Sequence, residues 1–271
     1  VVIAHTQAQA VETVQTMLSG KAFGNAGRRV VIEEFLTGEE ASFMCLVDGQ
    51  HVLPLATSQD HKARDDGDKG PNTGGMGAYS PAAVASDSEV YARIMAEIIV
   101  PTVAAMTAEG HPYVGFLYAG LMIDEQKNPK VLEYNCRFGD PETQPILMRL
   151  RSDLVELCCA ALEKRLHQVH IEWDPRAALG VVLAAGGYPG SYQKGDIIHG
   201  LDEVAVSEHT KVFHAGTEQQ QEHIVTAGGR VLCVCALGEH VKAAQKHAYD
   251  VVKKIHWNDL YYRSDIGHRA I

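Results

Sequence analysis

The amino-acid sequence predicts an α+β protein, and three features of its pattern lead to that class. Two pairs of strand-like segments are each joined by a short polar turn, as in antiparallel hairpins. Helical segments with recognisable caps lie between and after these pairs. After Trp173-Asp174-Pro175 the chain changes to short apolar strands broken by glycines, followed by one amphipathic helix at about residues 239–255.

The first 36 residues predict a helix and two strand-like segments. Thr6 can cap a helix that runs to about Leu18 and stops at Gly20. Residues 29–35 are rich in β-branched side chains and predict a strand. Residues 1–4, Val-Val-Ile-Ala, are typical of a buried strand and follow no initiator Met, so we expect the sequence to be a piece of a longer protein.

Two predicted hairpins follow, with an irregular loop between them. Residues 41–47 and 52–55 flank Asp48-Gly49, which is a hairpin signal. Residues 58–81 contain five glycines and no periodicity, and an irregular run of this length in a compact domain is usually functional or disordered. The second hairpin joins residues 116–123 to residues 130–137.

Helix caps predict three further helices before the boundary near residues 168–176. Residues 86–89, Ser-Asp-Ser-Glu, form a capping box for a helix that runs to about Glu109, with a kink at Pro101. Asp140-Pro141 has the pattern of an N-cap followed by a first-turn proline. Residue 152 or 153 starts another helix, whose expected apolar face consists of Leu154, Leu157, Cys158, Ala161 and Leu162.

Charge and composition argue against several classes of protein. The formal net charge of −10 disfavours nucleic acid and anionic membranes as partners. No signal peptide is visible and no apolar run approaches the ~20 residues that a membrane span needs, so we expect a cytoplasmic location. The six cysteines form no CxxC pair, and Cys233 and Cys235 alternate in an apolar strand as buried thiols do. The absence of HExxH argues against a zinc enzyme.

Residues 131–145, VLEYNCRFGDPETQP, carry the strongest chemical signal. Strand alternation places Glu133, Asn135 and Arg137 on one face and turns Tyr134 and Cys136 towards the core. Carboxylate and amide oxygens are hard ligands suited to Mg²⁺, and a guanidinium suits a phosphoryl or carboxylate group. A solvated hairpin edge with a surface salt bridge has the same pattern, so the segment alone leaves both interpretations open.

Two other regions carry weaker signals. In residues 30–40, VVIEEFLTGEE, a strand end could bind a flat heterocycle and a following acid could bind ribose hydroxyls, although an acidic surface turn reads the same way. The loop of residues 71–77, PNTGGMG, allows close backbone approach to anionic groups. Asp60, His61 and Lys62 precede it and could orient an amine or a phosphate, or form a solvated charge run.

A set of motifs in fixed order and spacing extends these signals: EEFLTGEEASF, SQDHK, GPNTGGMGAYSP, GFLYAGLMI and LEYNCRFGDPETQ. This set resembles the phosphoribosylamine–glycine ligases (glycinamide ribonucleotide synthetases) of the ATP-grasp superfamily, and the similarity covers essentially the whole chain. It implies a partial ATP-grasp fold followed by a small C-terminal β-rich domain with a covering helix. Residues 1–36 would be the remnant of the nucleotide-clamping subdomain, 37–170 the central ATP-grasp body, and 175–271 the C-terminal domain.

The resemblance implies a reaction of de novo purine synthesis, in which ATP, glycine and 5-phosphoribosylamine give ADP, phosphate and glycinamide ribonucleotide. Glycine would be phosphorylated to glycyl phosphate, which the ribosylamine nitrogen would attack. Motif positions then imply these roles: Glu133 and Asn135 as ligands of Mg²⁺ or Mn²⁺; Arg137 as the catalytic residue at the phosphoryl group; Glu34, Phe35 and Leu36 at the adenine and Glu40 at the ribose of ATP; and Asp60, Lys62, Asn72, Thr73, Gly74, Gly75 and Gly77 at glycine and the ribosylamine.

The sequence departs from the family pattern in two places. Residues 116–123 lack the acidic metal ligand that many ATP-grasp enzymes carry there, which fits these ligases better than a carboxylase and leaves the metal count open. The N-terminal Rossmann-like domain and a loop with a phosphate-binding lysine are absent, so the chain alone is expected to be inactive and to need the missing N-terminal part. Alternatives are another ATP-grasp carboxylate–amine ligase, a carboxylase, a non-catalytic nucleotide-binding module, and a segment of a fused multifunctional polypeptide.

Overall fold

Antiparallel strands and mostly short helices make up the computed structural model, which describes residues 2–21, 24–204 and 207–271. The helices are α1 (Gln7–Leu18), α2 (Ala83–Ser86), α3 (Ser88–Arg93), a π-helical segment (Ile94–Ile99), α4 (Val100–Ala108), α5 (Thr143–Arg149), α6 (Leu154–Leu162), α7 (Val241–Val252) and the 3₁₀ turns Gly24–Arg28, Leu166–Gln168 and His268–Ala270. The strands are β1 (Glu39–Asp48), β2 (Val52–Pro54), β3 (Gln59–Asp60), β4 (Ala63–Asp65), β5 (Lys69–Asn72), β6 (Gly77–Ser80), β7 (Val114–Ile123), β8 (Pro129–Asn135), β9 (Ala177–Ala184), β10 (Thr210–His214), β11 (Thr217–Gln220), β12 (His223–Thr226) and β13 (Arg230–Gly238).

Residues 1–37 form the first of two compact units. α1 begins as predicted, since Thr6 Oγ1 accepts a hydrogen bond from Gln9 N at 3.2 Å. The strand predicted at residues 29–35 is wrong, because these residues form no ladder with any described strand. The strand predicted at residues 1–4 is also wrong for residues 2–4, which are exposed and irregular, while Val1 lies outside the described residues.

The second unit, residues 38–271, contains a four-stranded antiparallel sheet of order β2-β1-β7-β8. Both predicted hairpins, β1–β2 and β7–β8, are confirmed. β1 is buried on both faces: Phe43 packs with α3 and α4, whereas Leu46 packs with α6. Helices therefore cover this sheet on two sides, which explains why β1 is a nearly continuous apolar run.

The long helical stretch of residues 88–108 corrects two expectations. Asp87 caps it, because Asp87 Oδ1 accepts from the N–H groups of Glu89 and Val90 at 3.1 and 3.2 Å, whereas the capping box assigned this place to residue 86. Its 21 residues are long and apolar enough to cross a membrane by length and composition, so the expectation that no such run exists was wrong. Here Ile94 and Ile99 pack into the core beside β1.

A five-stranded antiparallel sheet of order β10-β13-β9-β6-β3 forms the other half of this unit. The predicted strands β9, β10 and β13 are confirmed, and α7 covers one face through Val241, Ala244, Ala248 and Val251. β3 and β6 come from residues 59–80, so the sheet takes strands from both sides of the predicted boundary near residues 168–176. This arrangement ties the glycine-rich loop to the C-terminal part of the chain.

The opposite face of this sheet packs against α5. Cys233 and Cys235 lie there with Met148, buried as predicted, and their sulfurs are 3.6 Å apart without a disulfide. The neighbouring α6 has Asp153, one of the two predicted starts, as its N-cap. Its predicted apolar face is only partly right, because Leu162 is exposed.

Candidate active site

Glu133 and Asn135 lie side by side on β8, the edge strand of the four-stranded sheet. The register places Gly120 of β7 opposite Glu133 and Tyr118 opposite Asn135. Asn135 Nδ2 donates a hydrogen bond to Glu133 Oε1 at 3.3 Å, so the two side chains share a face, as alternation predicts. One carboxylate and one amide oxygen can supply part of the oxygen shell of a hard divalent cation.

The rest of this segment departs from the predicted alternation. β8 ends at Asn135, so Arg137 lies beyond the strand, where its Nη1 donates to the Phe138 carbonyl at 2.6 Å. Tyr134 and Cys136, which we predicted to be core residues, are exposed. For Tyr134 that prediction was wrong because β8 is an edge strand, and Cys136 lies beyond the end of β8.

Asp140 does not cap a helix, contrary to the prediction. α5 begins at Thr143 with Glu142 in the cap position. The Asp140 carboxylate is instead bound to Arg230, whose Nη2 donates to Oδ2 at 2.8 Å and whose Nη1 donates to the Asp140 carbonyl at 3.1 Å. Arg230 Nη1 also donates to the Gly74 carbonyl at 2.5 Å. Arg230, which sequence reasoning missed, thus joins the end of this segment to the glycine-rich loop.

Residues 58–81 form two small ladders and are not irregular. β4 pairs with β5, and β3 and β6 join the five-stranded sheet. Asp60 ends β3 and Lys62 follows it, while Asn72 ends β5 and Gly77 begins β6. These strands were not predicted, because segments of two to four residues are too short for alternation to be seen.

Backbone N–H groups of the glycine-rich loop are engaged within the protein. These hydrogen bonds run from Thr73 N to Lys62 O (2.8 Å), Gly74 N to Tyr188 OH (2.9 Å), Gly75 N to Thr73 Oγ1 (2.9 Å) and Met76 N to His61 O (2.9 Å). The loop therefore does not present these donors to an anion, as a phosphate-binding loop would. Gly74 packs closely against Arg230 and Gly75 against Asp60, whereas Gly77 packs against Gly180 and Ile266.

Gly75 shows this packing requirement most clearly. Its φ is +107°, and an added Cβ would lie 2.3 Å from Pro141 Cδ and 2.6 Å from Asp60 Oδ1. We expect Gly75→Ala to lower the free energy of unfolding by at least about 2 kcal/mol, since such backbone strain alone costs about 1–3 kcal/mol. Gly110→Ala is the matched control, because Gly110 has φ +82° with no atom within 4 Å. If urea denaturation gives the same loss of unfolding free energy for Gly75→Ala and Gly110→Ala, the contacts with Pro141 and Asp60 do not affect stability.

Asp60 has an unusual environment. Its Oδ1 is fully buried and has no hydrogen-bond partner among the described residues. Burial, followed by the negative charge of Glu142, raises the pKa of Asp60 well above its usual range, while Lys62 acts in the opposite sense. Glu142 is 2% exposed and accepts a hydrogen bond from Ser42 Oγ at 2.7 Å. A buried carboxyl of this kind is suited to accept a proton or a cationic amine.

Lys62 lies among the acids of the site. Its Nζ is 2.9 Å from Glu40 Oε2. Burial disfavours the charged amine, but attraction to Glu40, Asp60 and Glu133 outweighs it and raises the pKa of Lys62. The structure therefore brings together residues that the sequence assigned to ribose (Glu40), to a metal ion (Glu133) and to the acceptor substrates (Asp60 and Lys62).

The residues predicted for adenine belong to the other compact unit. Glu34, Phe35 and Leu36 lie in residues 1–37, in a stretch without regular secondary structure. The Phe35 ring packs edge-on against the His5 ring, with centroids 6.4 Å apart. Their role stays a prediction.

Comparisons with known proteins agree with this description. Residues 1–143 match the family described as "Phosphoribosylglycinamide synthetase, ATP-grasp (A) domain", and residues 178–269 match its C domain. The chain is 63% identical to the phosphoribosylamine–glycine ligases of Vibrio vulnificus (strain CMCP6), over 271 residues, and of Escherichia coli (strain K12), over 274 residues; all of this chain matches, against 63% of each relative's length. The crystal structure of phosphoribosylamine–glycine ligase from Thermotoga maritima is 33% identical, with a TM-score of 0.84 over 98% of this chain and 65% of that chain.

Fold and matched domains place the chain in the ATP-grasp class. Within that class, it belongs to the phosphoribosylglycinamide synthetase family. The predicted α+β fold, with a partial ATP-grasp fold and a β-rich C-terminal part covered by a helix, is confirmed. The division into residues 1–36, 37–170 and 175–271 stays a prediction.

Proposed function

We propose that the complete protein containing this chain joins glycine to 5-phosphoribosylamine at the expense of ATP. Because the chain spans 63% of the length of its curated relatives, the activity is proposed for the complete protein and not for residues 1–271 alone. The observation that carries the proposal at the site is Lys62, held as a cation among Glu40, Asp60 and Glu133. Phosphoryl transfer to a carboxylate needs such fixed charges around the reacting groups.

The proposed chemistry has two steps. A glycine carboxylate oxygen attacks the γ-phosphorus of ATP, and ADP leaves, which gives glycyl phosphate. The ribosylamine nitrogen then attacks the glycyl carbonyl carbon, the bond between that carbon and the phosphate oxygen breaks, and the nitrogen loses a proton. The protein contributes mainly by placing the reactants and by balancing their charge.

For the nucleotide we propose the roles that the motif positions imply. Glu34, Phe35 and Leu36 would contact the adenine, and Glu40 the ribose. Glu133 and Asn135 would hold Mg²⁺ or Mn²⁺, which when bound neutralises charge on the nucleotide phosphates. Since Glu40 pairs with Lys62 at 2.9 Å, binding of ribose hydroxyls to Glu40 would alter the position of Lys62 and so couple the nucleotide to the acceptor side.

The acceptor substrates would meet side chains more than backbone. The N–H groups of the loop are already engaged, so Asp60 and Lys62 would carry most of the recognition, with Asn72, Thr73, Gly74, Gly75 and Gly77 shaping the wall. The buried carboxyl of Asp60 would favour a substrate ammonium group or take up the proton that the ribosylamine releases. Arg137 would offset the charge of the phosphoryl group.

We also propose a cytoplasmic location and small-molecule partners. The six cysteines are free thiols, which fits a protein of the reducing cytoplasm. The partners would be the three small substrates and the further part of the same protein that the relatives possess.

An omission assay with the complete protein tests the function. ADP should form rapidly only when ATP, glycine and 5-phosphoribosylamine are all present. If another carboxylic acid replaces glycine with equal or higher rate, the protein is a different ATP-grasp ligase. If bicarbonate alone supports ADP formation, it is a carboxylase.

A further inference from the structure

The C-terminal residues 261–269 hold the hairpin of β4 and β5 that lies between Lys62 and the glycine-rich loop. The contacts are Tyr261 OH to Asp65 Oδ1 (2.9 Å), Arg263 Nη1 to Ala63 O (3.1 Å) and to Asp68 Oδ1 (3.0 Å), Ser264 N to Asp66 Oδ1 (2.8 Å), Gly67 N to Asp265 Oδ2 (2.8 Å), and Arg269 Nη2 to Asp68 Oδ2 (2.8 Å). The position of the hairpin therefore depends on the end of the chain.

His61 is the buried member of this contact and sits between two proposed substrate residues, Asp60 and Lys62. It is 1% exposed, and its Nε2 accepts a hydrogen bond from Gly267 N at 2.9 Å. Nε2 therefore carries no proton, and in the neutral ring the proton is on Nδ1. Nδ1 points towards Asp68, with 3.7 Å between Nδ1 and Oδ1.

This tautomer argues against a metal ion at the same place. His61, Asp68 and His268 lie close enough to share a cation. A neutral Nδ1 that bears a proton has no lone pair to offer, and Asp68 is already bound by Arg263 and Arg269. The cluster is thus charge-compensated by arginines and does not need a cation.

We propose that neutral His61 is a positioning residue, which fixes Asp60 and Lys62 for the acceptor substrates by its hydrogen bond from Gly267. This inference rests on the proposed function of the site. Protonation of Nε2 would replace the acceptor by a donor that faces the Gly267 N–H, and the 60–62 segment would lose this hydrogen bond to the C-terminal residues. Residues 73–77 also hold the segment, through backbone bonds from His61 N to Gly77 O and from Met76 N to His61 O, both 2.9 Å, and from Thr73 N to Lys62 O at 2.8 Å.

The direction of the pH effect follows from the surroundings of His61. Burial lowers the pKa of His61; Asp68 opposes this, while Arg263 and His268 act with it, and the Tyr79 ring lies 6.1 Å away. The folded state thus binds this proton less well than the unfolded state, whose His pKa is about 6.5. The hydrogen bond from Gly267 N to His61 is therefore fully formed above about pH 6.5 and is lost as the pH falls towards the lower pKa of His61 in the folded state.

The test uses the complete protein and compares His61→Gln with His61→Leu. Glutamine can place an amide oxygen near the Nε2 position but does not titrate, whereas leucine removes the acceptor. With His61→Gln we expect kcat/KM for glycine near the wild-type value at pH 7.5 and a weaker fall on the acid side. With His61→Leu we expect kcat/KM for glycine to drop about 3- to 10-fold, the effect of one lost hydrogen bond. The KM for ATP should stay within about twofold of the wild-type value, because His61 does not position the nucleotide.

Two results would overturn the inference. One is a His61→Gln variant whose kcat/KM for glycine falls at acid pH as steeply as that of the wild type. The other is a His61→Leu variant in which the kinetic parameters for ATP and for glycine change by the same factor. Hydrogen exchange of the Gly267 amide in the wild-type protein gives a readout that does not depend on the variants folding. After correction for the intrinsic rate, its protection should decrease as the pH falls through the acid limb, and constant protection contradicts the proposal. A wild-type protein without ligase activity would reject the proposed function, while the exchange measurement would still decide whether His61 controls this attachment.

Discussion

Replacement of Glu133 by glutamine is expected to weaken binding of MgATP to the complete protein by about 100-fold or more, since losing even an outer-shell partner of a metal ligand costs about 10–100-fold. The substitution keeps the size of the side chain and its hydrogen bond with Asn135, which shares its face of β8. It removes one unit of negative charge from the proposed cation site and from the surroundings of Lys62. Isothermal titration calorimetry with and without Mg²⁺ measures the effect.

The control is Glu125→Gln, in the exposed turn between β7 and β8. It removes the same charge from the same hairpin but away from Asn135, so its affinity for MgATP should equal that of the wild type within error. Unchanged affinity in Glu133→Gln would remove Glu133 from the metal site. Equal losses in both variants would assign the effect to overall charge.

Replacement of Arg263 by methionine is expected to cost about 3–5 kcal/mol of folding free energy, the usual cost of removing one partner of a buried ion pair. Arg263 is fully buried, and its Nε and Nη2 donate to Asp265 at 2.7 and 2.8 Å. Burial alone would raise the pKa of Asp265, but the Arg263 guanidinium lowers this pKa to about 2. Without Arg263, the carboxylates of Asp265 and Asp68 lose the cation that compensates them.

Urea denaturation at pH 7 measures this loss, with Lys246→Met as the control. Lys246 lies 3.5 Å from Asp250 in an exposed pair, which contributes about 0–1 kcal/mol. The deficit of Arg263→Met should shrink as the pH falls below about 4, because the depressed pKa values of Asp68 and Asp265 contribute stability only while these groups are ionised. A loss no larger than that of the control would show that Arg263 does not hold the hairpin.

The sequence predicted those parts of the fold that depend on local pattern. The hairpins β1–β2 and β7–β8, the cap at Thr6 and the apolar face of α7 follow from turn chemistry, capping and periodicity over short stretches of chain. Residues 29–35 show the limit of this reasoning, since their β-branched side chains favour a strand but they form no ladder with any described strand. Strand formation is decided by pairing, which propensity does not encode.

The candidate site was predictable in its residue types but not in its connections. Alternation placed Glu133 beside Asn135 correctly, and failed at Arg137 because the strand ends two residues earlier. The contacts of Arg230 with Asp140 and Gly74 join residues 90 and 156 positions apart, and no periodicity reports such distances. The same holds for the C-terminal residues around the β4–β5 hairpin, which composition gave no reason to place beside it.

The packing of the glycine-rich loop is a second feature that the sequence concealed. Glycines at 74 and 75 suggested an anion-binding loop, yet the structure uses them to bring Arg230, Pro141 and Asp60 within van der Waals contact of the backbone. A glycine that allows close approach of other protein atoms and a glycine that allows close approach of a ligand are the same residue in the sequence. Only the hydrogen bonds of the neighbouring N–H groups distinguish the two.

The central claim is that the complete protein activates glycine as an acyl phosphate, and one isotope measurement tests it most directly. Glycine labelled with ¹⁸O in its carboxylate is turned over with ATP and 5-phosphoribosylamine, and the phosphate released is examined by ³¹P NMR. If glycyl phosphate forms and is attacked at carbon, each phosphate carries one ¹⁸O from glycine. Phosphate without ¹⁸O, released at the same rate as glycinamide ribonucleotide, would contradict the account.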